Sequence, residues 1–391
     1  MLNFFFAGFS KKRPGMRQTL MESLTSASET YIDRIEDLHA FVGRAGASGD
    51  FRACSIDTEA DSMHSYETKL CLIQFSIPGA LAIIDPLSIG ITGLNDFITF
   101  VDRFEVVWMH GADYDISLFN STFNWVPKTI LDTQVAARFL GKDKFGLANL
   151  LEDEYGVKLS KASQKADWSR RPLSPKMLEY AYNDVRYLLD LGGKYLERLD
   201  AIGRLDWFYE SCLAAQESVR GRSGKSEDEV WRISGWGKLS PKGLHFLKHL
   251  WMWRDDECRR LDRPAFKFLS NQELMTMVEQ LEAGRKVRPA HYLRSGPVKR
   301  LDEAIEKANA VKSSAYPVKH RRGEGSRLEI NEARFEQIRR CRDKQAAKLG
   351  IEPTVIATRT VMERLAAANV REEEKTDSLL RWQREILRSC L

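Results

Sequence analysis

Apolar positions recur at helical spacing at Tyr31, Ile35, Leu38 and Val42, which predicts a short helix over residues 28–45. Compact apolar runs at 53–57, 70–76 and 80–84 predict strands, with Pro78-Gly79 as the turn between the last two. Three strands so closely spaced suggest an antiparallel meander. Residues 94–101 read as a helix, 105–110 as a fourth strand, and the chain then turns helical through Ile116 and Phe119. Helical patterns follow at 130–140, 146–156 and 174–199. This order predicts an α/β domain, a mixed sheet flanked by helices. A polar, glycine-bearing stretch at 219–229 marks a linker, here drawn over 213–229. Beyond it, 230–312 is helical and rich in Trp, Arg and Leu; a polar stretch at 320–326 separates it from a last helical segment, 328–391. Two all-α bundles are the simplest reading.

The chain has 391 residues, 43% hydrophobic and 29% charged, which suits a globular protein of two or three domains. No apolar run reaches the roughly 18 residues that span a bilayer, so no membrane role is expected. Residues 1–9 are apolar, but Lys11, Lys12 and Arg13 follow the run, the reverse of a signal peptide. Residues 1–27 are therefore expected to be a disordered leader, with Met16 as an alternative start. The six cysteines form no CxxC pair, which fits neither a zinc framework nor a secreted disulfide scaffold and points to a reducing, cytoplasmic setting. Charge is divided unevenly. Residues 1–200 carry 22 Lys and Arg against 27 Asp and Glu, whereas 201–391 carry 38 against 28. The acidic half can hold cations and the basic half a polyanion, although two solvated surfaces of opposite sign would look the same.

Three clusters carry possible chemistry. Asp57 and Glu59 alternate on a strand and so share a face; two carboxylates that close repel unless cations lie between them. Mg²⁺ and similar hard ions prefer such oxygen ligands. Asp113 and Asp115 compete for a second position, just after an apolar strand that ends in His110. Either acid could instead serve the helix N-terminus, and His110 reads as a structural hydrogen-bond partner. Tyr180 and Asp184 lie four residues apart on a helix and share a face, where a phenol can orient a water. Tyr182 faces elsewhere. Four carboxylates brought together can hold two divalent ions about 3.5–4 Å apart, a pair that activates water and stabilises the leaving oxygen of a phosphodiester.

The D-x-E, D, Y-x-x-x-D layout resembles the DEDD exonuclease superfamily in its tyrosine-bearing subclass. Further segments are similar to the ribonuclease D family: Tyr66-Glu-Thr-Lys-Leu-Cys-Leu-Ile-Gln74, Leu131-Asp-Thr-Gln-Val-Ala-Ala-Arg138, Gly146-Leu-Ala-Asn-Leu150 and Ala166-Asp-Trp-Ser-Arg-Arg-Pro-Leu-Ser174. The resemblance covers about residues 28–212. The segment Trp251-Met-Trp-Arg-Asp-Asp-Glu-Cys-Arg-Arg-Leu-Asp-Arg-Pro264 resembles an HRDC domain, the helical nucleic-acid-binding module of the same family, and 328–391 resembles a second, degenerate copy. The resemblance implies a ribonuclease H-like exonuclease domain at 28–212, followed by HRDC-type domains. It implies that Asp57 bridges two divalent ions (Mg²⁺ or Mn²⁺), that Glu59 and Asp184 complete the shell of the first ion, that Asp115 holds the second, and that Tyr180 positions the attacking water. It further implies 3′→5′ release of nucleoside 5′-monophosphates from RNA with a free 3′ end, tRNA precursors above all, by a monomer.

Two departures bear on substrate shape. Ala60 and Asp61 follow the D-x-E where the family has a bulky apolar residue, and Tyr182 and Asn183 stand where it has small ones. A DNA exonuclease of the same superfamily fits the four acids equally. A binding protein without catalysis would be expected to lack one of them. Removing 213–391 is expected to weaken RNA binding and leave basal hydrolysis.

Overall fold

The computed structural model describes residues 27–47, 49–159, 166–221, 229–318 and 328–390. The expected leader except its last residue, residues 222–228 of the expected linker and the polar stretch 320–326 lie outside the described residues; residues 213–220, drawn as the start of that linker, are instead the end of a helix that begins at Leu205. No helix among the described residues is long and apolar enough to cross a membrane. The chain forms two compact units: Met1–Glu59 with Leu70–Arg222 and Arg327–Leu391, and Ala60–Lys69 with Ser223–Ser326.

The first unit is built on a six-stranded sheet: β1 (Ser28–Ile32), β2 (Ala53–Asp61), β3 (Lys69–Ile77), β4 (Ala80–Ile84), β5 (Val106–Met109) and β6 (Ile130–Asp132), in the order β1-β4-β3-β2-β5-β6. β3 and β4 form the expected antiparallel hairpin, with Ile73 opposite Ile84. Gly79 in its turn has φ of +82°, a conformation that costs glycine least. β1 pairs in parallel with β4, β2 with β5, and β5 with β6. The sheet is thus mixed.

Helices longer than one turn cover it: α1 (Ile35–Ala47), α2 (Asn95–Val101), α3 (Asp113–Phe123), α4 (Thr133–Phe139), α5 (Leu147–Tyr155), α6 (Pro175–Arg186), α7 (Leu188–Ala201) and α8 (Leu205–Arg220). Phe75 of β3 packs edge-on against Phe41 of α1 and Phe97 of α2, with centroids 6.1 and 5.3 Å apart. Trp108 of β5 stacks on Phe208 of α8 at 6.2 Å.

Two expectations about strands are corrected. Residues 28–32 are strand rather than helix, because the open edge of β4 supplies their backbone with partners; only Ile35, Leu38 and Val42 keep the helical period. Residues 130–132 likewise form a strand on β5, and the helix begins one residue later, capped by the Asp132 carboxylate. The long helix expected at 174–199 is two, α6 and α7, parted at Tyr187.

The C-terminal segment holds α12 (Glu332–Leu349), α13 (Arg359–Leu365), α14 (Glu372–Asp377) and α15 (Arg381–Leu387). It is helical, as expected, but it shares the core of the first unit instead of forming a separate bundle. Trp382 stacks on Trp207 of α8 with centroids 5.3 Å apart and meets the edge of Phe139 at 5.2 Å. Its Nε1 donates to Ser211 Oγ at 3.1 Å. Cys341 and Cys390 are joined by a disulfide that their separation of 49 residues does not disclose; Cys54, Cys71, Cys212 and Cys258 are buried thiols.

In the second unit α9 (Pro241–Leu261) packs against α10 (Asn271–Glu282) and α11 (Ser295–Asn309) around Trp231, Leu247, Leu250, Trp253, Val278 and Leu301. Residues 60–69 belong to it. Tyr66 Oη donates to Asp255 at 2.8 Å, and Asp262 accepts from Tyr66 N at 2.9 Å and from Lys69 Nζ at 2.8 Å. Asp61 is buried and accepts from His64 N, His64 Nδ1 and Ser65 Oγ, so it builds a turn.

Candidate active site

β2 alternates its side chains, so Ser55, Asp57 and Glu59 share one face. Ser55 Oγ donates to Val185 O of α6 at 3.1 Å, which sets that face against α6. Ser174 caps α6 by accepting from Met177 N, Pro175 opens its first turn, and the helix then carries Tyr180 and Asp184 one turn apart. The Tyr180 hydroxyl hydrogen-bonds to Asp184. Carboxylate oxygens of Asp57, Glu59 and Asp184 all lie within 4.8 Å of one another.

Asp115 reaches the same place from the first turn of α3, the helix after β5. Asp132 at the end of β6 accepts from Gly111 N and Ala112 N, each at 2.9 Å, and from Gln134 N at 2.7 Å. That carboxylate pins the turn between β5 and α3, where Gly111 has φ of +68°. Asp115 then points inward, is 6% exposed, and accepts a short hydrogen bond from Thr58 Oγ1; Asp113 is exposed. Of the two acids, Asp115 is thus the one placed beside Asp57. His110 pairs through Nδ1 with Thr133 Oγ1 at 2.9 Å, a structural role as expected.

The four carboxylates hold their protons strongly. Burial pushes Asp184 up to about 8, with the Tyr180 hydrogen bond opposing and the Asp115 charge adding. Burial, then the charges of Asp184 and Asp115, push Glu59 up to about 9. Asp57 is raised well above the usual range by burial and by the charges of Asp115, Asp184 and Glu59. Asp115 is pushed up to about 6, mainly by burial, with the Thr58 hydroxyl holding it down.

Such a cluster fits divalent cations on three counts. All donors are hard oxygens. Asp184 Oδ2 is buried and has no hydrogen-bond partner among the described residues. The repulsion among the acids is of the kind a cation reverses. Asp57, Glu59 and Asp184 group together, with Asp115 standing next to them, so the sequence-derived residues Asp57, Glu59, Asp115, Tyr180 and Asp184 are all brought into one site.

The roles of several residues around the site escaped the sequence, even where the residues lay in quoted segments. Thr58 sits between Asp57 and Glu59 and carries no motif of its own. Asp132 lay within a quoted segment, but its role comes from the turn it ties. Trp168 packs on Tyr180, with centroids 6.0 Å apart. Arg171 pairs with buried Asp85, 86 positions away, too far for any local signal.

A family model described as 3'-5' exonuclease matches residues 30–200. A ribonuclease D of Xanthomonas oryzae pv. oryzae is 33% identical over 219 residues, which cover 56% of this chain and 60% of that one. The aligned part therefore spans less than two thirds of this relative. A ribonuclease D of Gluconacetobacter diazotrophicus is 30% identical over 281 residues, covering 70% of this chain and 71% of that one. The crystal structure of Escherichia coli RNase D, an exoribonuclease involved in structured RNA processing, has the same fold, with a TM-score of 0.68 at 22% identity over 93% of this chain and 99% of that chain.

Proposed function

The chain belongs to the ribonuclease D family, and on that premise we propose that it removes nucleoside 5′-monophosphates one at a time from RNA 3′ ends, tRNA precursors among them. It is a metal-dependent 3′→5′ exoribonuclease. The observation that carries the reading is the convergence of Asp57, Glu59, Asp115 and Asp184 with Tyr180 on one of them.

Asp57 faces all three other acids and would bridge two ions, Mg²⁺ or Mn²⁺. Glu59 and Asp184 would complete the shell of the first, and Asp115 would hold the second. Bound there, the ions would supply the positive charge that favours attack of water on the phosphodiester and departure of the 3′ oxygen. Tyr180 donates its hydroxyl proton to Asp184, which leaves the lone pairs of Tyr180 Oη free to accept from the attacking water and aim it. Thr58 fixes the rotamer of Asp115 by its hydroxyl, so that the carboxylate keeps one orientation.

The second unit would serve as the RNA-binding HRDC-type module. Its described residues 229–318 carry 17 Lys and Arg against 11 Asp and Glu. A monomer in the cytoplasm completes the reading. The four buried thiols suit a reducing setting, and the packing of Trp382 would hold the C-terminal segment there even with the Cys341–Cys390 pair reduced.

The test uses 5′-labelled single-stranded RNA and its DNA counterpart, with and without Mg²⁺ or Mn²⁺, beside Asp57→Asn and a 3′-phosphate-blocked RNA. The expected outcome is a metal-dependent ladder of shortening RNA, lost with the blocked end and slowed on the order of a hundredfold or more by Asp57→Asn. Equal or faster shortening of DNA would instead assign a DNA exonuclease. Binding without degradation under any metal would overturn the hydrolytic role.

A further inference from the structure

The loop before α6 carries the segment 166–174, and nothing in the reaction outlined above uses it. Trp168 is 2% exposed, and its ring lies against that of Tyr180, with planes inclined by 39° and centroids 6.0 Å apart. Its Nε1 is buried and has no hydrogen-bond partner among the described residues. The backbone beneath it is held by one guanidinium. Arg171 Nη1 donates to Trp168 O at 2.7 Å and to Arg170 O at 2.8 Å, while Nη2 donates to Cys71 O of β3 at 3.0 Å and to Asp85 Oδ1 at 2.7 Å.

Asp85 stands at the end of β4, is wholly buried, and also accepts from Tyr31 Oη at 2.5 Å and Ser88 Oγ at 3.0 Å. A planar guanidinium can hold a carboxylate and carbonyls on a strand and a loop at once; an ammonium cannot match that fork. The arrangement runs without a gap: Asp85, Arg171, the Trp168 backbone, the Trp168 ring, the Tyr180 ring, and the Tyr180 hydroxyl on Asp184.

A tyrosine hydroxyl is aimed by two torsions of its side chain. A flat, immobile wall on one face of the ring narrows both. We propose that Trp168 is the positioning residue for Tyr180, and that the Asp85–Arg171 pair fixes the height of that wall against the sheet. The inference rests on the hydrolytic reading of the site, because it deepens the role given to Tyr180 there. It makes Trp168 act on turnover and not on RNA binding, since it reaches the reacting groups only through Tyr180.

Two measurements on the full chain test this. In steady-state kinetics, Trp168→Leu should lower kcat by roughly 10–100-fold with little change in KM, as loss of a supporting residue does elsewhere. Trp168→Phe, which keeps an aromatic face, should recover most of that loss, and Arg171→Lys should lower kcat by the same route. In a Tyr180→Phe background, Trp168→Leu should cost almost nothing further, because the hydroxyl it aims is gone. Losses that multiply in the double variant, or a rise in KM in place of the fall in kcat, would overturn the positioning role.

The second measurement needs no turnover. In the 3-fluorotyrosine-labelled protein, the ¹⁹F line that disappears in Tyr180→Phe should be single and narrow with Trp168 present. It should broaden or split in Trp168→Leu, and stay narrow in Trp168→Phe. An unchanged line in Trp168→Leu overturns the proposal whether or not the chain degrades RNA. Failure to degrade RNA, with the line behaving as expected, strikes the functional reading alone.

Discussion

Burying four carboxylates near one another raises the free energy of their ionised forms: burial is the larger cause for each, the neighbouring charges add to it for Asp57, Glu59 and Asp184, and every one shifts its proton affinity upward. In the ion-free protein these acids bind protons that the unfolded chain would release above about pH 4. The unfolded state therefore binds fewer protons across that range, and stability falls as pH rises through the folded values, about 6 for Asp115, 8 for Asp184 and 9 for Glu59. The melting temperature in chelator should decline from about pH 5 to pH 9. Divalent ions should restore it, by an increment that widens with pH, because binding them releases those protons. Thermal scans with and without Mg²⁺ over that range check it; an increment independent of pH would contradict the clustering. At this scale the sequence was most readable where periodicity decides direction. Asp57 with Glu59 follows the strand alternation, and Tyr180 with Asp184 follows the helical turn. Asp113 and Asp115 could not be separated that way, since the start of a helix exposes one and buries the other only once the turn at Gly111 is tied by Asp132.

Elements were legible in proportion to how much of their pattern is local. β3, β4 and β5 announce themselves as dense apolar runs, and their burial matches. β1 and β6 do not, because what makes them strands is a hydrogen-bonding edge contributed by β4 and β5 from elsewhere in the chain. Close approach between elements is similarly invisible in a single segment. Gly192 of α7 faces Trp108 of β5 so tightly that a Cβ there would stand 2.6 Å from the indole. Helix propensity favours alanine over glycine by about 1 kcal/mol. Overpacking a filled core costs about 1–3 kcal/mol, and Trp108 cannot retreat because Phe208 backs it. Gly192→Ala should therefore destabilise the protein, seen as a lower denaturation midpoint in urea, despite its better propensity. A raised midpoint would mean that α7 and β5 separate more readily than this packing implies.

Domain structure was the least legible level, since linkers and charge show where a chain can be cut but not which pieces share a core. Residues 328–391 read as an independent helical segment, yet Trp382 fills the space between Phe139 and Trp207, and Arg204 donates to Leu349 O. Cutting at 212 also removes half of α8, whose Gln216 amide donates to Pro127 O. A chain ending at residue 212 should consequently fail to fold, and the basal hydrolysis expected of it from sequence should be absent; circular dichroism of the truncated chain tests this. Trp382→Ala alone should cost about 3–5 kcal/mol.

The separable piece is the excess of basic residues within 229–318, 17 Lys and Arg against 11 Asp and Glu. Replacing these residues by a flexible Gly/Ser linker keeps the core of the first unit, including the C-terminal helices. Each phosphate that those cations neutralise displaces counterions, so its release should reduce the steepness of log affinity against log salt by about 0.7 on single-stranded RNA. The decisive comparison is between slopes and not between affinities at one salt concentration, because folding damage would weaken binding at every salt without flattening the line. A weakened but equally steep dependence would place the RNA-holding charges on the first unit.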